Sequence, residues 1–203
     1  MMQLIIDQQV VELKNERAAI DHIYTYIKQK LDQSDKKFSH MKLDGQDIYE
    51  DFENKIIEQI STLEKVEVIF LTLKELMNET YLTGESYLMR ALPEMKTTID
   101  LFYQGGSEQA WVNLEQILFA LQWIDQLVES IEKSEQQPTN WNDYLIAITT
   151  IRKELVQLEE SIKAKDNTLI ADILDYEIVP GLKTLKQALT KSIDLEGERK
   201  NAN

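Results

Sequence analysis

WVNLEQILFALQWIDQLV, residues 111–128, is the most strongly patterned stretch of the chain. With one residue added before it and three after, it carries Ala110, Leu114, Ile117, Leu121, Ile124, Val128 and Ile131. The alternating steps of four and three draw one continuous apolar seam along a helix. A second apolar set, Val112, Phe119, Ala120, Trp123 and Leu127, lies beside the first and leaves a narrow polar strip at Glu115, Gln122, Asp125, Gln126 and Glu129. The spacing therefore predicts a helix covered on two sides.

The flanking segments supply partners for the first seam. Thr72 and Glu75 have the Thr-x-x-Glu spacing of a capping box, in which each side chain meets the other residue's backbone N–H. From there Leu73, Leu76, Met77, Tyr81, Leu88, Leu92, Met95, Ile99 and Phe102 recur at helical spacing as far as Gly105-Gly106, which suits a left-handed helix end, and Ser107 can cap the next helix. After the polar loop SEQQPTN, Trp141, Tyr144, Ile148, Ile151, Leu155, Leu158 and Ile162 mark a third helix. Ile170, Ile173, Leu174, Ile178, Leu182, Leu185, Leu189 and Ile193 mark a fourth. Four amphipathic helices with short connections predict an antiparallel up-down-up-down bundle over residues 72–197, about 40 Å long at ~1.5 Å rise per residue, with 198–203 as a disordered tail. Trp111 and Trp141, at the starts of their helices, read as plugs for the bundle ends.

Residues 1–71 are patterned differently. MQLII (2–6) and QVVEL (9–13) read as a hairpin around Asp7-Gln8, and Asn15 can cap a helix carrying Ala19, Ile20, Ile23, Tyr24, Ile27 and Leu31. KFSHMKL (37–43) alternates, with Phe38, His40 and Lys42 on one side and Met41 and Leu43 on the other, before the strong turn Asp44-Gly45. A short helix over 49–60 places Phe52, Ile56, Ile57 and Ile60 inward, and KVEVIFL (65–71) is a strand. The order ββαβαβ resembles the β-grasp topology of ubiquitin-like domains. The expected fold class is α+β: a small β-grasp-like domain followed by the bundle, mainly α overall.

Composition narrows the chemistry. A net charge of -14 disfavours nucleic acid and anionic membrane surfaces, because phosphate binding depends on Lys and Arg. With no Cys, disulfides, thiolate metal sites and Cys nucleophiles are excluded. No run approaches the ~18 apolar residues of a membrane helix, and the N-terminus lacks a signal-peptide pattern, so a cytoplasmic protein is expected. The two histidines, His22 and His40, fall outside the predicted bundle, which leaves a Ser nucleophile there without its base and lacks the Glu-x-x-His ligands of a di-metal site. Asp172, Asp175 and Glu177 read as a solvated acidic face rather than a cation site. No cofactor, metal site or catalytic residue is expected.

Two features point to a surface. Phe119, Trp123 and Leu127 form too much apolar area to leave in water, so the N-terminal domain, a wider bundle interior or another chain must cover them. Pro93 and Pro180, each inside a predicted helix, fall at similar levels on neighbouring helices and predict a kinked or widened zone near Met89, Met95, Tyr176 and Leu182, with Gly181 adding local freedom. The expected function is a non-enzymatic one exercised through protein–protein contacts, adaptor or chaperone-like, with a protein partner. The alternatives are a helical bundle binding a small apolar ligand between the kinked helices, a structural homo-oligomer, for which the heptad-like seams permit a homodimer, and an enzyme working through carboxylates and tyrosines.

Overall fold

The computed structural model describes residues 1–7 and 9–199. The chain is a mixed α+β protein, 68% helical, and divides between Leu76 and Met77 into two compact units. The first holds a five-stranded sheet and two helices, and the second holds helices and no strand among its described residues.

In the first unit the strands β1 (Met2–Ile6), β2 (Gln9–Leu13), β3 (Lys37–Leu43), β4 (Gln46–Ile48) and β5 (Lys65–Leu71) take the order β2-β1-β5-β3-β4. Among the described residues β1 and β5 pair in parallel and the other neighbours pair antiparallel. The pattern of β5 is strict: Val66, Val68 and Phe70 are buried, and the residues between them are half-buried. That alternation sets its register against the core that Met2, Leu4, Met41 and Leu43 share with α1 (Ala18–Gln33).

The sheet differs from the sequence expectation in three places. A fifth strand, β4, returns along β3 from the turn at Asp44-Gly45, whose φ values of 48° and 87° match a two-residue hairpin turn. Three residues are too few to show alternation. Second, the register of β3 slips between Phe38 and His40, and this bulge puts Phe38 on the core side with Met41 and Leu43, edge-on to Phe52 and Phe70. Third, Asn15 does not cap α1. Its side-chain amide donates to the carbonyls of Ile60 and Leu63, both at 2.7 Å, and so closes the end of α2 (Phe52–Gln59). Replacing Asn15 by Ala removes the donor to both carbonyls and is expected to lower the stability of this unit by about 1–3 kcal/mol, measurable by denaturant titration.

The helices of this unit bury narrower stripes than expected. Ala19, Ile20, Ile23 and Ile27 are buried on α1 and Ile56 on α2, whereas Tyr24 and Leu31, at the edge of the α1 stripe, and Ile57, one helical step from Ile56, stay exposed.

The second unit contains α3 (Leu73–Tyr103, whose first turn belongs to the first unit), α4 (Glu108–Glu132), α5 (Trp141–Ala164), α6 (Asn167–Ile173), a π-helical turn (Leu174–Ile178) and α7 (Val179–Glu196). The last three follow one another without a break, which makes six helical runs among the described residues. The capping box forms as expected: the Glu75 N–H donates to Thr72 Oγ1 at 3.2 Å and the Thr72 N–H to Glu75 Oε2 at 2.8 Å. Gly105 and Gly106, at φ 106° and 70°, end α3, and Ser107 caps α4 by accepting from the Ala110 N–H.

All seven residues of the α4 seam are buried. Trp111 lies edge-on to Phe102 and Trp141 stacks on Tyr144. Beneath Trp141 a buried polar chain is satisfied: Tyr144 donates to Ser192 at 2.8 Å, Ser192 to Asn140 Oδ1 at 2.7 Å, and Asn140 Nδ2 to the Ala188 carbonyl at 3.0 Å.

Of the expected tail, residues 200–203 lie outside the described residues. Glu198 exchanges two hydrogen bonds with the Asn78 side chain, and Arg199 holds Glu85 through two bonds of 2.7 and 3.0 Å. That guanidinium, with Thr190 and Lys186 assisting against the cost of burial, keeps the Glu85 carboxyl below its ordinary 4.5. A carboxyl depressed in the fold adds stability above its unfolded value and loses it as pH falls through the folded one. The stabilisation is therefore expected to start falling as pH drops below about 4.5 and to be gone once pH has passed through the lower folded value, with the pH dependence weakened in Glu85→Gln, read by hydrogen exchange at the end of α7.

Candidate functional site

The second stripe of α4 divides in the folded chain. Leu127 is buried, Trp123 is half-buried under Tyr87 of α3 with ring centroids 4.6 Å apart, and Phe119 is 64% exposed. Val112, two helical turns before Phe119 on the same face, is also exposed. The cover that the sequence demanded is thus supplied from within the unit for Trp123, and Phe119 keeps its face in water.

Beside this stripe, α3 and α4 enclose a groove of about 410 Å³. Its floor is apolar and buried: Met95, Ile117, Leu121, Ile124 and Leu182. Two small residues, Ala91 on α3 and Ala120 on α4, stand in its walls, and the absence of longer side chains there keeps it open. Thr97, Thr98, Asn113 and Gln116 contribute neutral polar groups, and Glu94 is the lone charge in the lining. The Tyr87 hydroxyl is pushed above its usual range by burial, with the Glu94 charge adding to it. On α4, Val112, Gln116, Phe119 and Trp123 follow steps of four, three and four, so the exposed aromatic lies next to the groove's α4 wall.

The proline residues lie elsewhere. Pro93 and Pro180 are exposed, as are Met89 and Tyr176, and none of the four lines the groove, although Met95 and Leu182, expected in the same zone, form part of its floor. Pro180 sits two residues after the π-helical turn, where the Val179 N–H reaches back to the Leu174 carbonyl. The widened turn accommodates a residue that cannot donate and whose ring crowds the preceding turn. Gly181 serves contact rather than freedom: a Cβ there would lie 2.8 Å from Ile151 Cγ1 on α5.

Other candidate chemistry resolves into paired groups. Asp172 accepts from the Tyr103 hydroxyl at 2.7 Å and Asp175 from Lys96, and no group of three metal-ligating side chains converges among the described residues. His40 is buried between Ser39 and Asp47, at 2.9 and 3.1 Å, and packs on Tyr49. Among the described residues no helix is long and apolar enough to cross a membrane.

A family model, described as a domain of unknown function (DUF8042), matches residues 79–188, more than half of the chain. The chain belongs to this family. The matched segment contains every residue that lines the α3–α4 groove, together with Phe119 and Trp123. No curated protein and no solved structure matches the chain.

Sequence reasoning passed over Tyr87, Ala91 and the polar lining residues Glu94, Thr97, Thr98, Asn113 and Gln116. The available signal was a pair of alanines in apolar registers of two consecutive helices, which becomes meaningful only once those helices are known to face each other.

Proposed function

We propose that this is a non-enzymatic cytoplasmic protein, adaptor or chaperone-like, that works by docking an apolar segment of a protein partner in the α3–α4 groove. The observation that carries the reading is Phe119, exposed beside a groove with an apolar floor and a single charge in its lining. Exposed aromatics of this kind are enriched at the anchors of protein interfaces. Four helical runs with short connections support an antiparallel up-down-up-down bundle as the frame of the groove, and the strand order β2-β1-β5-β3-β4 supports a β-grasp arrangement for the first unit. Acidic net charge and the absence of Cys agree with a cytoplasmic site of action.

The size of the groove favours one second reading. About 410 Å³ lies in the range of small-molecule pockets, roughly 300–1,000 Å³, so a small apolar ligand is the alternative occupant. Filling the groove with Ala91→Leu and Ala120→Leu separates the two. The full chain purified from its own cells is expected to bring down a stoichiometric protein that the filled variant loses. A bound mass of a few hundred daltons in native mass spectrometry, lost in the same variant, would instead establish the ligand reading, and neither result would leave the groove without a role.

A further inference from the structure

A second groove, of about 600 Å³, lies between Leu92 of α3 and the outer face of α7, lined by Lys183, Lys186, Gln187, Thr190, Lys191, Asp194 and Leu195. Its charge runs against that of the molecule. The chain carries 36 acidic and 22 basic side chains, yet three lysines line this one groove. Elsewhere in the unit Lys96, Lys133, Lys153 and Lys163 are each ion-paired, while Arg90 and Lys165 form no ion pair among the described residues. In the groove Lys191 pairs with Asp143 and Asp194 with Arg199, whereas Lys183 forms no ion pair among the described residues and Lys186 feels the Glu85 charge without pairing with it. Leu195 is 62% exposed beside them.

We infer that this groove docks a second kind of segment from a protein partner: a peptide whose carboxylates flank apolar side chains. Lys183 and Lys186, spaced three apart on α7, receive the carboxylates on one side of the segment, and Leu92 and Leu195 receive its apolar residues. Charge complementarity selects the occupant. A polyanion such as nucleic acid fits poorly, because beyond these few lysines it meets the field of a molecule of charge -14. A short peptide with a few carboxylates confines its charge to the groove. The inference stands apart from the α3–α4 groove and survives if that reading fails.

The test is a random-peptide selection on the immobilised full chain, with binding of the enriched peptides measured by fluorescence anisotropy. Enriched peptides are expected to carry Asp or Glu beside Leu, Ile or Phe, to weaken as salt rises, and to lose at least about tenfold in affinity for Lys183→Glu/Lys186→Glu while binding the groove-filled Ala91→Leu/Ala120→Leu protein unchanged. The double variant alters only exposed or half-exposed side chains, and its circular dichroism and melting temperature verify that it folds. The proposal is overturned if no acidic peptide is enriched, or if the peptides bind the double variant equally well. It is also overturned if a single-stranded oligonucleotide of equal charge competes at the same concentration, or if sedimentation shows the groove filled by a second copy of the chain.

Discussion

Leu121→Ala is expected to destabilise the second unit by about 2–5 kcal/mol, whereas Phe119→Ser, two residues away on the same helix, should change stability by less than about 0.5 kcal/mol. Leu121 is 3% exposed at the centre of the α4 seam and also forms part of the groove floor. Truncating it removes buried apolar surface and deepens a void that the surrounding helices cannot close without breaking their own packing. Phe119 is 64% exposed and contributes little to the fold. Urea denaturation of the two variants reads both effects. A large loss in Phe119→Ser would mean that its ring is buried by something in solution, such as a second copy of the chain.

Gly181→Ala is expected to cost about 1–3 kcal/mol, against the usual gain of ~1 kcal/mol when a helical glycine becomes alanine. The added Cβ would meet Ile151 Cγ1 at 2.8 Å, and Ile151 is itself 2% exposed, so the atom in the way cannot swing into solvent. Gly84 is the control. A Cβ there would meet the terminal methyls of Leu127 and Leu189 at 3.1 Å, and side-chain ends can give by a few tenths of an ångström. Gly84→Ala is therefore expected to be within about 1 kcal/mol of the parent, with helix propensity and crowding opposed. Melting temperatures of the two proteins should differ in that order.

The parts of this structure that were legible from sequence are those whose signal is local and repeated. The α4 seam announces itself seven times, and all seven residues are buried. The Thr72–Glu75 box and the Gly105-Gly106 end each depend on groups within a few residues. What escaped depends on distant partners. Asn15 resembles a cap, but its side-chain amide donates instead to the carbonyls of Ile60 and Leu63, more than forty residues on. Phe38 changes sides because one bulge shifts the alternation. The cover for Trp123 could not be assigned because the sequence states that α4 needs neighbours without saying which side chain, here Tyr87, will supply the contact. Gly181 read as flexibility because the side chain it makes room for, Ile151, lies on another helix.

The α4 helix therefore divides into an inner face committed to the core and an outer stripe, exposed at Val112 and Phe119, beside an open groove. The most direct test places a photo-crosslinking phenylalanine analogue at position 119 of the full chain in its own cells. One dominant crosslinked protein is expected, identified by mass, whose yield collapses when Ala91→Leu and Ala120→Leu fill the groove. A crosslink that is absent, or that persists unchanged with the groove filled, would contradict docking in the groove.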